Sequence, residues 1–202
     1  MMRGCLYTAT SFFSCSAREI NHAVNGNSAE NKKTFVNSTK VNSNYSFSFS
    51  NMLYFTDSEI DQLISEDLPY YDLTTLSVKL GSKVARISFT TRHDAVICGT
   101  EEALKIFEKF KITPTLMSVS GEYIGAGIKF LEGEGLANSV HAIWRVTTNL
   151  MEFSSGIATR MRTLLEMARE VDPEVSVVTT RKSLPFTKKV SLKAIQAGGG
   201  NV

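Results

Sequence analysis

The residues best suited to chemistry are two adjacent cations, Arg181 and Lys182, in the segment 179–183, which reads TTRKS. They directly follow the run 175–179 (VSVVT), whose apolar density is typical of a buried parallel strand. In α/β folds, ligands bind at the carboxyl ends of such strands. An arginine guanidinium matches the fork of a carboxylate or phosphate, and a lysine adds a point charge. The segment therefore predicts an anion-binding loop, with a solvated turn as the simpler alternative.

Three consecutive glycines, at 198–200, follow a predicted helix over about 188–197. Glycine lets a backbone approach a ligand or adopt positive φ, although a flexible helix end is the simpler interpretation. A dinucleotide-binding loop is excluded, because it requires the order strand, glycines, helix. Lys188, Lys189 and Lys193 are interpreted as an exposed helix face rather than a phosphate clamp.

The other candidates carry weaker signals. A single arginine on a predicted helix, Arg145, is by itself typical of a surface charge. His93 and His141 lack a partner at metal-ligand spacing, so no metal site is predicted. Cys98 lies in an apolar run and is interpreted as a small buried hydrophobe. Since it has no internal partner beyond the N-terminal segment, a reducing, cytoplasmic compartment is expected.

The composition limits the classes of protein that could position these residues. The chain has 202 residues, 43% of them hydrophobic, and a formal net charge of +2. This length allows one medium domain, or a small domain and part of a second. The charge balance favours neither a nucleic acid nor an acidic membrane as partner. No apolar run approaches the roughly 20 residues that a membrane-spanning helix needs.

The first 51 residues differ in composition from the rest, since 17 of them are Ser or Asn. Without a sustained helix or strand period, such a segment buries too little to offset its ordering entropy. We therefore predict that 1–51 is disordered or a non-native extension, with Met52 as the actual start. A transit peptide is an alternative interpretation.

From residue 52 onward the pattern predicts regular elements. Thr56 and Glu59 form a capping box for a helix that ends near Asp67, and Thr100 is predicted to cap a second helix. Strands are predicted at 84–89, 95–98, 115–119 and 128–132, and a long helix over 138–171 with a possible break at 154–156. The expected domains are an α+β domain at 52–137 and the start of an α/β unit at 138–202. A complete α/β barrel takes about 200 residues, so the second domain is expected to be truncated.

Taken in order, these segments resemble the quinolinate phosphoribosyltransferase family (nicotinate-nucleotide pyrophosphorylase, carboxylating). The matching motifs are EDL at 66–68, DLTT at 72–75, GE at 121–122 with Gly127, Asn149 with SGIAT at 155–159, TRK at 180–182 with Pro185, and GGG at 198–200. LPY at 68–70 and TRKSLPFT at 180–187 resemble more closely the pyrophosphorylase branch associated with molybdate-transport genes. The resemblance covers about 52–202.

The resemblance implies a fold and site residues. The family fold is an N-terminal α+β sandwich followed by an incomplete α/β barrel, assembled as a homodimer. Arg145 matches the arginine that reaches into the neighbouring subunit's active site. Thr180, Arg181 and Lys182 match the segment that grips the acid substrate and the sugar phosphate. Ser155-Gly156 matches a packing turn, and no catalytic residue is assigned.

The resemblance also implies a reaction. A ring nitrogen of a small carboxylate-bearing base would displace pyrophosphate from phosphoribosyl pyrophosphate, with loss of CO₂ and with Mg²⁺ as cofactor, in NAD biosynthesis or a molybdenum-linked pathway. Trp144-Arg145-Val146 stands where biosynthetic members have Glu-Arg-Thr, which leaves the acceptor open. Asn201-Val202 stands where members have His-Arg, so we expect an inactive fragment of such an enzyme. The alternative is a non-catalytic dimerising pseudoenzyme or interaction module.

Overall fold

A computed structural model describes residues 13–19, 53–68, 83–180 and 182–202. The elements in chain order are β1 Phe13–Glu19, α1 Asp57–Asp67, β2 Val84–Thr91, β3 Ala95–Val96, α2 Thr100–Lys109, β4 Thr113–Met117, β5 Tyr123–Ile124, β6 Lys129–Leu136, α3 Ala137–Arg169 and α4 Lys188–Ala197. The motif at 72–75 and the predicted site residue Arg181 lie outside the described residues. Within the described ranges, no helix has the length and apolar character to cross a membrane.

The described strands form a four-stranded antiparallel sheet in the order β1-β2-β6-β4, with β3 and β5 as a separate pair. Burial alternates along β2, which is the period-two pattern of a strand with one face on the core. The largest side chains in that core include Phe89, Phe107 and Phe130, which come from β2, α2 and β6. Helices and one antiparallel sheet thus share a core, which confirms the predicted α+β class.

The structure differs from the sequence prediction at the N-terminal segment, where no regular element was expected before residue 52. Phe13–Glu19 forms β1 and pairs with β2 over seven residues. The local sequence FSCSARE alternates apolar and polar residues, and the Ser- and Asn-rich average over 51 residues hid this short pattern. The rest of 1–51 lies outside the described residues.

The helix starts show where local capping signals succeed and fail. Thr56 and Glu59 form the predicted capping box, with the Thr56 N–H donating to Glu59 Oε2 at 2.7 Å, and α1 ends at Asp67 as expected. The prediction that Thr100 caps α2 is wrong. The cap is Gly99, at φ 94°, and Thr100 is the first helical residue. The turn out of β3 requires this left-handed conformation, which glycine adopts without strain.

Helix α3 runs without a break through 154–156, so the turn expected at Ser155-Gly156 lies inside a helix. Its small polar side chains bind the backbone beside β3. The Cys98 N–H donates to Ser155 Oγ at 2.9 Å, and Ser154 Oγ donates to the Cys98 carbonyl at 2.8 Å. These serines therefore have the packing role that the resemblance implied, although not in a turn.

The buried strand predicted at 175–179 is wrong for this chain. The segment makes one isolated parallel bridge, between Val178 and Asn201, and Val178 is 68% exposed. Among the described residues no second strand or helix layer covers this run, and an apolar run becomes a buried strand only between such neighbours. Helix α4 connects the two bridged residues, which makes this region the beginning of a β-α-β unit and the first part of an incomplete barrel.

Candidate functional site

A cleft of about 360 Å³ lies where the end of α1, the middle of α3 and the segment leading into α4 meet. Its lining is Leu63, Glu66, Asp67, Val146, Asn149, Leu150, Phe153, Leu184, Pro185, Phe186, Thr187 and Val190. Three motif positions that are far apart in sequence, at 66–67, 149 and 185, therefore converge here. This convergence was not predictable from the sequence, because it depends on how α1 packs against α3.

The polar end of the cleft is acidic. Asn149 Nδ2 donates to Asp67 Oδ2 at 3.0 Å, which ties the last turn of α1 to α3. Glu66 is exposed beside it, and no described lining residue is a cation. Carboxylates repel an anionic substrate, so the cations of 180–182 are better placed to attract one than the cleft itself.

The predicted loop residues Thr180 and Lys182 are both exposed. The Lys182 N–H donates to Thr180 Oγ1 at 3.3 Å, a local turn of the kind that Ser and Thr hydroxyls form. Within the described part of the chain, the Lys182 ammonium has no ion-pair partner. This ammonium is therefore free to bind an incoming anion.

Arg145 is exposed on α3, and its guanidinium carbon lies 5.5 Å from the centre of the Trp144 ring. No hydrogen bond or ion pair joins it to Thr180 or Lys182 in the described part of this chain. Among the described residues, one copy of the chain thus shows no direct contact between Arg145 and the loop residues Thr180 and Lys182. Stacking on Trp144 leaves the guanidinium hydrogen-bond donors of Arg145 available to another molecule.

Two of the lysines that follow the loop, Lys189 and Lys193, are paired with carboxylates. Lys189 and Lys193 are four residues apart on α4, a spacing that places them on one helix face. Lys189 Nζ lies 2.6 and 2.7 Å from the two carboxylate oxygens of Glu59. The hydrogen bond from Lys189, with those from Thr56, lowers the pKa of Glu59 to about 2.

Lys193 corrects the prediction of an exposed lysine face, because it is only 3% exposed. Its Nζ lies 2.6 and 2.7 Å from the Glu102 carboxylate oxygens and 2.9 Å from Glu101 Oε2. Ser120 donates to Glu101 through both its N–H and its hydroxyl. The two carboxylates lie in the first turn of α2, where the helix dipole favours negative charge. We name these four residues the Lys193 cluster.

The pKa shifts in the Lys193 cluster have opposing causes. Burial disfavours the charge on Lys193, but attraction to Glu102 and Glu101 exceeds this effect and raises the pKa. Burial also opposes ionisation of Glu101, yet Lys193 and the Ser120 hydrogen bonds leave its pKa lowered. For Glu102 burial prevails and the pKa is raised, despite attraction to Lys193. Lys193 therefore joins α4 to α2 and is not available to a phosphate.

The triple glycine is a packing element rather than a flexible end. A Cβ added to Gly198 would lie 2.5 Å from the Ala158 carbonyl oxygen, and one added to Gly200 would lie 2.6 Å from Met161 Cε. Gly199 has φ 94°. Arg162 Nε donates to the Gly198 carbonyl at 3.0 Å. The glycines allow α4 to end in close contact with α3.

Two further predictions concern cysteine and metal. Cys98 is a buried free cysteine, as predicted, and burial raises the pKa of its thiol to about 12. A thiol with this pKa is a poor nucleophile at neutral pH. The described ranges contain no group of three or more His, Cys, Asp or Glu that could hold a metal ion.

The fold and motifs define a class of protein. Residues 72–155 match the family model described as "Quinolinate phosphoribosyl transferase, N-terminal domain". The resemblance predicted from the motifs is confirmed over this part of the chain.

Similar curated proteins are matched over about half of their length. The chain is 34% identical over 151 residues to "Putative pyrophosphorylase ModD" of Pasteurella multocida. The aligned segment is 75% of this chain and 54% of that protein. The chain is 30% identical over 143 residues to a "Probable nicotinate-nucleotide pyrophosphorylase (carboxylating)" of Methanothermobacter thermautotrophicus, covering 70% and 51%. The chain thus spans about half the length of the curated relatives it matches.

Solved structures show the same fold. The crystal structure of nicotinate-nucleotide pyrophosphorylase from Ehrlichia chaffeensis has a TM-score of 0.66 and 28% identity, over 73% of this chain and 54% of that one. The enzyme of the same name from Francisella tularensis has a TM-score of 0.66 at 20% identity, which shows the fold alone.

Proposed function

We propose that this chain carries the front part of a phosphoribosyltransferase site. In the proposed reaction, a ring nitrogen of a small carboxylate-bearing base displaces pyrophosphate from phosphoribosyl pyrophosphate, and CO₂ is lost. The observation that carries the proposal is the loop at 180–182, in which Thr180 and Lys182 are exposed and the Lys182 ammonium has no ionic partner among the described residues. The match of 72–155 to the family model supports the reaction class.

The proposed role of the loop follows from charge. Both the phosphoribosyl donor and the acidic acceptor are anions, so they repel each other as they approach. Cations that contact both substrates offset this repulsion and hold the reacting atoms in place. At 4 Å, one such charge pair contributes about 1 kcal/mol in water and about 4 kcal/mol near a protein surface. Thr180, Arg181 and Lys182 are assigned this binding role.

Arg145 is proposed to act across a homodimer. It is exposed on α3, and its guanidinium stacks on Trp144 of its own chain. An arginine held in this way can reach the loop of a neighbouring copy, which would complete a site that one copy lacks. Trp144 also introduces an aromatic surface beside the acceptor, so the acceptor can differ from quinolinate. The pathway, NAD biosynthesis or molybdenum-linked, depends on that acceptor.

Mg²⁺ is proposed as a cofactor that binds together with the substrate. Mg²⁺ would offset charge on the leaving pyrophosphate. The described residues offer no cluster of three or more ligands for it, so no step is assigned to a protein-bound metal. A cytoplasmic location is proposed because phosphoribosyl pyrophosphate is an intracellular metabolite class and Cys98 is a free thiol.

The test compares two exposed lysines. Binding of phosphoribosyl pyrophosphate to the full chain is followed through the fluorescence of Trp144, the single tryptophan of the sequence. Lys182→Ala should weaken binding at least tenfold, because Lys182 lies in the proposed binding loop and its ammonium has no ion-pair partner among the described residues. Lys188→Ala, the matched control six residues away, should change binding less than twofold. Equal effects of the two substitutions would show that the loop is not the binding site.

A second candidate is a non-catalytic dimerising pseudoenzyme. It is favoured by apolar side chains that are exposed along α3, among them Trp144, Phe153, Leu164 and Met167. Such a surface can associate with a second copy without binding a substrate. A dimer in solution that shows no binding of phosphoribosyl pyrophosphate at millimolar concentration would favour this candidate.

A further inference from the structure

Strand β1 lies at the edge of the sheet and covers the outer side of β2. Its register runs from Phe13 opposite Thr91 to Glu19 opposite Ala85. On its other side β2 pairs with β6. Without β1, the backbone N–H and C=O groups along this side of β2 would lose their partners. An uncovered edge of this kind is a template for another strand.

β1 is connected to the rest of the sheet by a long segment. Residues 20–52 separate it from the next described residue, and 14 of these 33 residues are Ser or Asn. Fully extended, 33 residues span about 110 Å. Covalent geometry therefore does not fix β1 on β2, and its position rests on the contacts that β1 makes with β2 and with α3.

The sequence of β1 matches the burial pattern of β2 in this register. The apolar residues Cys15 and Ala17 are opposite Phe89 and Ile87, both of which are fully buried. The residue between them, Ser16, is opposite the half-buried Ser88. Directly opposed residues share one face of a sheet, and a slip of one residue would exchange the faces. The pairing is therefore specific in register as well as in backbone hydrogen bonding.

We propose that the outer side of β2, Val84–Thr91, is a strand-addition site and that its ligand is the segment Phe13–Glu19. The site recognises an extended peptide by main-chain hydrogen bonds and by alternation of apolar and polar positions. In the intact chain this ligand is covalently connected to the sheet, which favours it over a separate peptide of the same sequence. Because the ligand is separable from the sheet, a chain that lacks it binds the same peptide added from solution. This inference is independent of the phosphoribosyltransferase proposal.

The first experiment tests binding in trans. A chain that begins at Met52 is titrated with a synthetic peptide of residues 11–21, and hydrogen exchange of the β2 amides is measured. We expect saturable binding and slower exchange at 85–91. A peptide with Ala17→Asp, opposite the buried Ile87, should bind at least tenfold more weakly. A peptide with Ser16→Asp carries the same added charge at the neighbouring position and should bind nearly as well as the original.

The second experiment uses the full chain, so the test does not depend on the folding of the shortened one. Ala17→Asp should accelerate exchange of the β2 amides at least tenfold, and Ser16→Asp should change it less than threefold. Equal exchange in the two variants, or a shortened chain whose β2 amides are protected without peptide, would overturn the proposal. Protection that instead depends on protein concentration would show that a second copy covers the edge, and would overturn it as well.

Discussion

Replacing Lys193 by Met tests the Lys193 cluster most severely, because it removes the ammonium that pairs with the buried carboxylate of Glu102 and the half-buried carboxylate of Glu101. The side chains of Lys193 and Glu102 are each 4% exposed, and Nζ lies 2.6 Å from Glu102 Oε2. Met fills a similar volume but leaves Glu102 without its opposite charge. Removing one partner of a buried ion pair lowers the free energy of unfolding by about 3–5 kcal/mol. Replacing both partners by apolar residues has a much smaller effect, because no unpaired charge is left buried.

The assay is urea denaturation at pH 7, followed by the fluorescence of Trp144. Lys193→Met should lower the free energy of unfolding by about 3 kcal/mol or more, whereas Lys188→Met on the same helix should change it by about 0.5 kcal/mol or less. The double variant Lys193→Met/Glu102→Leu should recover at least half of the loss, since no uncompensated charge remains at Glu102. A single-variant loss near 1 kcal/mol would refute the description of the cluster as a buried, mutually dependent group.

The pH dependence gives a second readout of the same variant. Burial raises the pKa of Glu102 even with Lys193 present. In Lys193→Met the folded pKa of Glu102 is therefore above its unfolded value, so the folded state binds the proton more tightly. By linkage, stability is greatest below the unfolded pKa and falls as pH rises through the folded pKa. The loss of free energy of unfolding in Lys193→Met should thus become smaller from pH 7 toward pH 4. A loss that is constant over this range would show that the unpaired Glu102 carboxylate does not cause it.

Three further predictions concern packing, an ion pair and a thiol. Gly198→Ala should lower the free energy of unfolding by about 1–3 kcal/mol, because its Cβ would clash with the backbone of α3. Gly156→Ala should raise the free energy of unfolding by up to about 1 kcal/mol, because its Cβ has no atom within 4 Å and alanine favours a helix. Urea denaturation separates the two. Since the pKa of Glu59 is lowered to about 2, its contribution to stability is present above about pH 4.5 and lost as pH falls toward 2. In thermal melts, the melting temperature of Glu59→Gln should therefore fall less than that of the wild type in that window. In a variant whose other two cysteines are Ser, Cys98 should react with a thiol reagent at pH 8 only after unfolding, and fast reaction of the folded chain would show that it is accessible.

The sequence predicted those elements whose signals are local. The capping box at Thr56 and Glu59 and the helix 188–197 depend on neighbouring residues, and both are confirmed. The strand at 175–179 was wrong because strand formation depends on partners elsewhere in the chain. β1 was missed because seven alternating residues were averaged into a long polar segment. A window of the length of one strand would have shown the pattern at 13–19.

The candidate site was predicted in part. The exposed positions of Thr180 and Lys182 agree with a loop that follows an apolar run. The burial of Lys193 was not predictable, since its partners are more than 90 residues away, at separations of 91 and 92. The spacing of Lys189 and Lys193 on one helix face was the available signal. The cleft was missed because its motif residues meet through the packing of α1 on α3.

We propose that the loop around Lys182 is the part of this chain that binds the anionic substrate. Hydrogen exchange of the full chain, with and without phosphoribosyl pyrophosphate, is the experiment that separates the loop from the cleft. We expect slower exchange at amides of 182–187, with little change in the cleft segments 63–67 and 146–153. No protection at 182–187 under saturating ligand, or protection confined to the cleft segments, would contradict it.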